Sequence, residues 1–154
     1  MSLFLRQMAQ QIKYKLLKEF LGGDELVKEP LNNEYDLIRL TRKGINKKQL
    51  LFLVKYLSLN LTEISKILPI SIRTLQRYNK NRILNTDVTN QSLLIAELFT
   101  KGVRVFGNLD KFNLWLRSPN SALSGHMPID LLDTTFGLEL IKNELGRIEY
   151  GVIS

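Results

Sequence analysis

The sequence predicts an all-α protein. Three observations lead there: apolar residues recur at three- and four-residue spacing from Tyr35 onward, the segments so marked are divided by glycine, proline and asparagine, and no convincing strand pattern appears. At 154 residues, with 44% hydrophobic and 24% charged, the chain has the composition of a globular protein with one domain or two small helical units sharing a core.

Taken in order, Leu5, Ala9, Ile12, Leu16 and Phe20 mark one face of a first helix, which Gly22-Gly23 ends. Arg6, Lys13, Lys15 and Lys18 run through this segment with no separate apolar region or small-residue cleavage site, so it does not read as a secretory signal. The pattern favours packing on the rest of the chain or on a second subunit over a membrane surface. Gly22 to Glu34, with Pro30 and Asn32-Asn33, reads as a linker. Beyond it the helical segments are separated at Gly44, Asn60, Pro69, Asn81 to Thr86, Gly107-Asn108 and Ser118 to Met127. Leu50 to Leu59 is apolar enough for a buried strand, but the preceding Asn46-Lys47-Lys48-Gln49 supplies a cap and helix formers, which selects a buried helix.

Asn85 to Phe106 reads as one longer helix starting at Thr86 or Asp87 and burying Leu94, Leu98 and Val105. Gly102 lies inside it, where glycine costs up to about 1 kcal/mol against alanine, so a close approach by another helix is predicted there. Phe112, Trp115 and Leu116 form an apolar anchor on the next helix, and Thr134 caps a last helix that buries Leu138, Ile141 and Leu145.

Composition removes several functions. There is no cysteine, which excludes disulfides, thiolate metal sites and a cysteine nucleophile, and the single histidine, His126, excludes paired-histidine metal sites. No uncharged apolar run approaches the eighteen or so residues that span a bilayer. Asp130, Asp133, Glu139 and Glu144 have nothing evident beside them to raise a pKa or hold a nucleophile, so no enzyme and no cofactor are expected.

The net charge of +7 is unevenly spread. Residues 1–38 carry −1, residues 39–104 carry +10 and residues 105–154 carry −2, so the whole basic excess lies where a phosphate backbone would find partners. Within that block runs LTEISKILPISIRTLQRYNK, residues 61–80. Thr62 can cap a short helix with Ile64, Ile67 and Leu68 inward, Pro69-Ile70 breaks it, and Ser71 can cap a second helix anchored by Ile72 and Leu75. Two short helices and a tight turn make a helix-turn-helix. On the second, Arg73, Gln76, Arg77 and Lys80 fall at i, i+3, i+4 and i+7, a stripe able to enter a major groove, while Lys66 and Arg82 reach flanking phosphates. Solvation of a bundle surface would explain such charges alone. Their coincidence with the cap, break and cap pattern selects DNA binding.

From Phe106 the chain carries Phe106-Gly107, Trp115-Leu116, Pro119-Asn120, Ala122-Leu123, Gly125, Pro128, Leu132, Thr134, Gly137 and Arg147-Ile148 with Gly151. This ordered set resembles the toxin-binding domain of the Xre/MbcA/ParS antitoxins. Arg73-Thr74-Leu75-Gln76-Arg77 likewise resembles the recognition helix of the Xre-type domain in that family, so the resemblance spans about residues 36 to 154. The turn departs from the pattern, with Pro69 in place of glycine and Ser65 in place of alanine.

The resemblance implies a cytoplasmic, type II antitoxin that binds a RES-domain toxin, an NAD-consuming protein similar to ADP-ribosyltransferases, and occludes its active site. The NAD chemistry would belong to the partner. It further implies autorepression of the operon through operator DNA by a homodimer. The expected division is residues 1–35 for an amphipathic helix and linker, 36–106 for the helix-turn-helix with its connecting helix, and 107–154 for the toxin-binding domain. Candidate DNA-binding residues are Lys66, Ser71, Arg73, Thr74, Gln76, Arg77, Lys80 and Arg82. Candidate toxin-binding residues are Arg147, Glu149, Tyr150, Val152, Ile153 and Ser154, where apolar side chains, a cation and a terminal carboxylate sit together. The alternative is a plain helix-turn-helix regulator whose C-terminal domain only dimerises.

Overall fold

The structure, a computed structural model, describes residues 2–151. Among these are nine α-helices: α1 (Leu3–Phe20), α2 (Gly23–Leu26), α3 (Glu34–Lys43), α4 (Lys47–Tyr56), α5 (Leu61–Ile67), α6 (Ile72–Arg77), α7 (Thr86–Phe106), α8 (Leu109–Leu116) and α9 (Thr135–Glu149). Two 3₁₀ turns, Ser121–Leu123 and Pro128–Leu131, lie in the loop before α9. Extended pairing among the described residues is limited to an antiparallel bridge between Asn46 and Ile83.

Polar caps set the helix starts. Asn46 accepts the Gln49 N–H while the Gln49 side chain accepts the Asn46 N–H, and Asn60 and Glu63 form the same reciprocal pair at α5. Thr62 is therefore not the cap: α5 starts at Leu61, because Asn60 satisfies the orphan donor that the sequence reading gives to Thr62. Ser71, Asn85 and Thr134 cap α6, α7 and α9.

The core is organised around α7, which packs against α1, α3, α8 and α9. Leu98 is buried as expected, Leu94 and Val105 are half-buried, and Ile95, Ala96 and Phe99 take the deepest positions. Gly102 is where α8 comes closest, since a Cβ there would strike the Phe112 ring. Phe99 meets Phe112 edge-on with ring centroids 5.0 Å apart, and Phe106 and Trp115 close the same cluster.

The first 34 residues differ from the sequence expectation in two ways. Gly22 to Glu34 is not a plain linker, because it contains α2 and buries Val27 and Leu31, and the Leu26 carbonyl accepts from the Gln49 side chain at 2.8 Å. The first helix does pack on the body, and Phe20 and Leu16 of the expected face take part, but Tyr14 and Leu17 are buried with them while Leu5 and Ile12 stay 53% and 63% exposed. Polar tips decide this. The Tyr14 hydroxyl donates to Glu34 at 2.6 Å and Lys13 pairs with both Glu34 and Glu97, so the face bearing Tyr14 and Lys13 is the one drawn to α3 and α7. Burial and the Glu34 carboxylate push the tyrosine hydroxyl well above its usual value, and that hydroxyl holds Glu34 below the ordinary carboxylate range.

A second tie joins the helix-turn-helix to the C-terminal module. Arg117, just past α8, donates through Nε and a terminal nitrogen to both oxygens of Glu63 at 2.9 and 2.8 Å, and it also reaches the Ser58 carbonyl at 3.0 Å. Asn113 braces the guanidinium at 2.7 Å and itself donates to the Leu57 carbonyl. Both partners are largely withdrawn from water, where a two-pronged charged pair outweighs an exposed one.

Arg117→Ala should therefore destabilise the fold by about 2 kcal/mol in urea unfolding, because it strands Glu63 as well as losing the bonds. Gly102→Ala should cost about 1 to 3 kcal/mol through overpacking on Phe112. Gly146→Ala, where the nearest atom to an added Cβ is the Lys101 Nζ at 3.6 Å, should instead stabilise by roughly 0.5 to 1 kcal/mol by removing a helical glycine. Equal effects of the two glycine substitutions on Tm would contradict this packing.

Candidate nucleic-acid interface and partner-binding helix

Residues 64–86 contain five cationic side chains and no acidic one. The structure exposes all five. In α6, Leu75 is buried and Ile72 half-buried against the body, while Arg73, Gln76 and Arg77 are exposed. Arg73, Arg77, Lys80 and Arg82 have no ion-pair partner among the described residues, whereas Arg39, Arg104, Arg117 and Arg147 each have one. These four unpaired cations stand together on one element and its continuation.

The continuation is not helical. α6 ends at Arg77, so Lys80 does not complete a helical stripe as its spacing suggests. Residues 78–84 instead form a strap along the start of α4: the Lys47 and Lys48 N–H groups donate to the carbonyls of Arg82 and Lys80, both at 2.9 Å, and the Leu84 N–H donates to the Ile45 carbonyl. The Lys47 Nζ caps the end of α6 by donating to the Tyr78 carbonyl at 2.7 Å, a cation at a helix C-terminus, and the Arg82 guanidinium lies 4.6 Å over the Tyr78 ring. Lys47 and Lys48 thereby join the basic ridge. Sequence reasoning misses them because Asn46 to Gln49 reads only as a helix start, and their placement depends on pairing with the distant carbonyls of Lys80 and Arg82.

The remaining candidates divide. Ser71 and Thr74 are engaged with each other, the Ser71 hydroxyl capping Thr74 N–H at 3.0 Å and donating to its hydroxyl at 2.8 Å, so Ser71 has a role in the fold itself. Lys66 is exposed at the mouth of a cleft of about 610 Å³ that it shares with Glu63, Arg117, Met127, Asp130 and Asp133. It therefore faces carboxylates as well as solvent.

After α8 the loop turns back, and α9 is fixed on α7. Thr134 accepts the Gly137 N–H at 3.0 Å, and Gly137 rests on the Leu131 carbonyl with no room for a Cβ. Gln91 of α7 donates to the Leu132 carbonyl. Lys101 donates to the Lys142 carbonyl at 3.2 Å, and burial pushes its ammonium below the usual lysine value. At the far end Arg104 pairs with Glu149 at 2.9 Å. Of the candidate toxin-binding residues, Glu149 is held by that pair, Arg147 is partly exposed beside Glu144 at 3.4 Å, and Tyr150 is 77% exposed. Val152, Ile153 and Ser154 lie outside the described residues.

His126 is exposed, as are Asp130 and Asp133, and among the described residues no group of three or more His, Asp or Glu side chains could hold a metal ion. No helix among them is long and apolar enough to cross a membrane.

Residues 36–97 match the family described as the antitoxin Xre-like helix-turn-helix domain, and residues 101–151 match the antitoxin Xre/MbcA/ParS C-terminal toxin-binding domain. A Sphingobium sp. (strain YBL2) protein named Prs ADP-ribosylating antitoxin is 28% identical over 129 residues, covering 77% of this chain and 81% of that protein. The first 35 residues precede both family matches. With an outward helix-turn-helix, a toxin-binding domain built on the same long helix and both family matches in that order, the chain belongs to the Xre/MbcA/ParS antitoxins.

Proposed function

We propose that this antitoxin neutralises a RES-domain, NAD-consuming toxin by occluding its active site, and that it represses its own operon as a homodimer on operator DNA. It does so in the cytoplasm, needs no cofactor and catalyses no reaction itself. The observation that carries the reading is that the acid-free cationic segment 64–86 leads directly into α7, the helix that both family matches share and on which α8 and α9 of the toxin-binding domain pack.

At the DNA end, the guanidinium groups of Arg73 and Arg77 supply paired donors for guanine, Gln76 suits adenine, and Lys80, Arg82 and Lys66 neutralise phosphates. The helix α6 is only six residues long, so two copies related by a two-fold axis would double the contacts on half-sites about one helical turn apart. At the other end, Arg147, Glu149, Tyr150 and the adjoining Val152, Ile153 and Ser154 enter the toxin's cavity. The relative's name supports the chemistry assigned to the partner, because ADP-ribosyl transfer consumes NAD.

Two separable losses test the reading. Arg73→Ala with Arg77→Ala should weaken binding to the DNA upstream of the operon by about 2 to 5 kcal/mol in a gel shift, and unchanged affinity would remove α6 as the recognition helix. Deleting Tyr150 to Ser154 should abolish rescue of cells expressing the toxin while leaving that gel shift intact. Full rescue by the truncated chain would refute occlusion by the tail, and a harmless neighbouring gene product would favour the plain regulator.

A further inference from the structure

α9 has two faces. Leu138, Ile141 and Leu145 are buried against the body, and on the opposite side Phe136, Leu140, Asn143, Arg147 and Tyr150 succeed one another at three- and four-residue steps, all exposed. Phe136 is 86% exposed and Leu140 54%. Most other large apolar side chains of the module are covered: Phe112, Leu116, Leu123, Ile129, Leu132, Leu138, Ile141 and Leu145 are buried, whereas off the stripe Leu114 on α8 is 72% exposed and Ile148 37%. A phenylalanine and a leucine left in water one turn apart are not needed for this core.

We infer that the toxin contact runs the length of α9, with Phe136 and Leu140 as anchors at its start, and is not confined to the chain's end. This rests on the proposed toxin neutralisation and adds to it a second set of contacts. The occupant is the toxin because the stripe lies within the matched toxin-binding domain and continues directly into Arg147 and Tyr150, the residues closest to the carboxy terminus on the same face. Spaced at i, i+4, i+7 and i+11, the side chains suit a helix laid into a groove. From Phe136 to Arg147 the helix rises about 16 Å, so the complementary surface is an apolar cleft of that length with hydrogen-bond acceptors at the Arg147 end. An aromatic and an arginine are the residue types that dominate such contacts.

The stripe is held ready. Gly137 seated on the Leu131 carbonyl sets the roll of α9, Ile141 and Leu145 are fully buried, and the Lys101 and Arg104 contacts fix its far half. Little ordering therefore opposes binding.

The test uses the full chain and the toxin encoded beside it, measuring the dissociation constant of the complex for Phe136→Ser, Leu140→Ser and their combination. Leu114→Ser serves as an exposed apolar control off the stripe. The double variant should raise Kd by about 30-fold or more, with Leu114→Ser within about threefold of wild type and with Tm and operator affinity unchanged. A double variant within about threefold of wild type overturns the inference while leaving toxin binding standing, and so does an equal loss in Leu114→Ser. If the substitutions convert a dimer to monomers with the toxin Kd unchanged, the face belongs to a second copy and the inference falls. Absence of any complex with the wild-type chain overturns the neutralisation reading and the stripe with it.

Discussion

The close seating of α8 on α7 at Gly102 is the constraint that organises the rest of the molecule. Because no side chain intervenes there, the Phe112 ring reaches the helix backbone, and Phe99, Phe106 and Trp115 can gather around it. That contact sets the direction in which the chain leaves α7. It brings Arg117 back to Glu63 at the start of the helix-turn-helix and returns the loop so that α9 can lie along α7. One helix thus serves as the end of one module and the beginning of the next, and its burial on several sides is the reason it runs for 21 residues without a break.

Electrostatics sort the surface by the same geometry. Several cations of the N-terminal and C-terminal parts are consumed in pairs, Lys13 by Glu34 and Glu97, Lys18 by Asp24, Arg104 by Glu149 and Arg117 by Glu63. Around α6 and the strap after it, no acid is close in sequence, and the cations remain available for a polyanion. Lys47 shows how the ridge is held together: its ammonium satisfies carbonyls at the end of α6 while its own N–H tethers the strap. The basic ridge is therefore assembled by backbone contacts, and its self-repulsion is relieved by spreading along a solvated edge.

Much of this is legible from residues alone, and the misses have physical causes. Helix starts at Asn46, Ser71, Asn85 and Thr134 follow from short polar side chains placed before apolar runs, and Gly102 announces a close approach without identifying its partner. Thr62 misleads because two cap-forming residues stand near each other, and the glutamate three residues beyond Asn60 is the discriminating signal. The buried face of α1 is only partly visible to a periodicity argument, which finds Leu16 and Phe20 but counts Tyr14 and Lys13 as polar, although their apolar bodies pack while only their tips are bonded. Lys80 falls at helical spacing, yet a tertiary contact ends the helix early, since the strap gains its hydrogen bonds from α4 rather than from a further turn of α6. On α9, the apolar tail draws attention away from Phe136 and Leu140, whose exposure is evident only once Leu138, Ile141 and Leu145 are seen to supply the buried face.

The basic ridge and the carboxyl end of α9 lie toward different ends of α7. Leu94 and Leu98 stand beside Leu138, whereas Arg104 stands beside Glu149, so α9 runs alongside α7 with its carboxyl end farthest from Asn85, where the strap meets the long helix. From Thr86 to Arg104 along α7 the helix rises about 27 Å. A ligand at the tail therefore does not have to displace one at α6, and α7 with the Arg117 clamp provides a continuous mechanical link rather than a flexible tether. Under such a connection, each ligand influences the other through what it adds in bulk or in copies of the chain brought to the DNA, and by linkage any gain in operator affinity from bound toxin equals the gain in toxin affinity from bound operator.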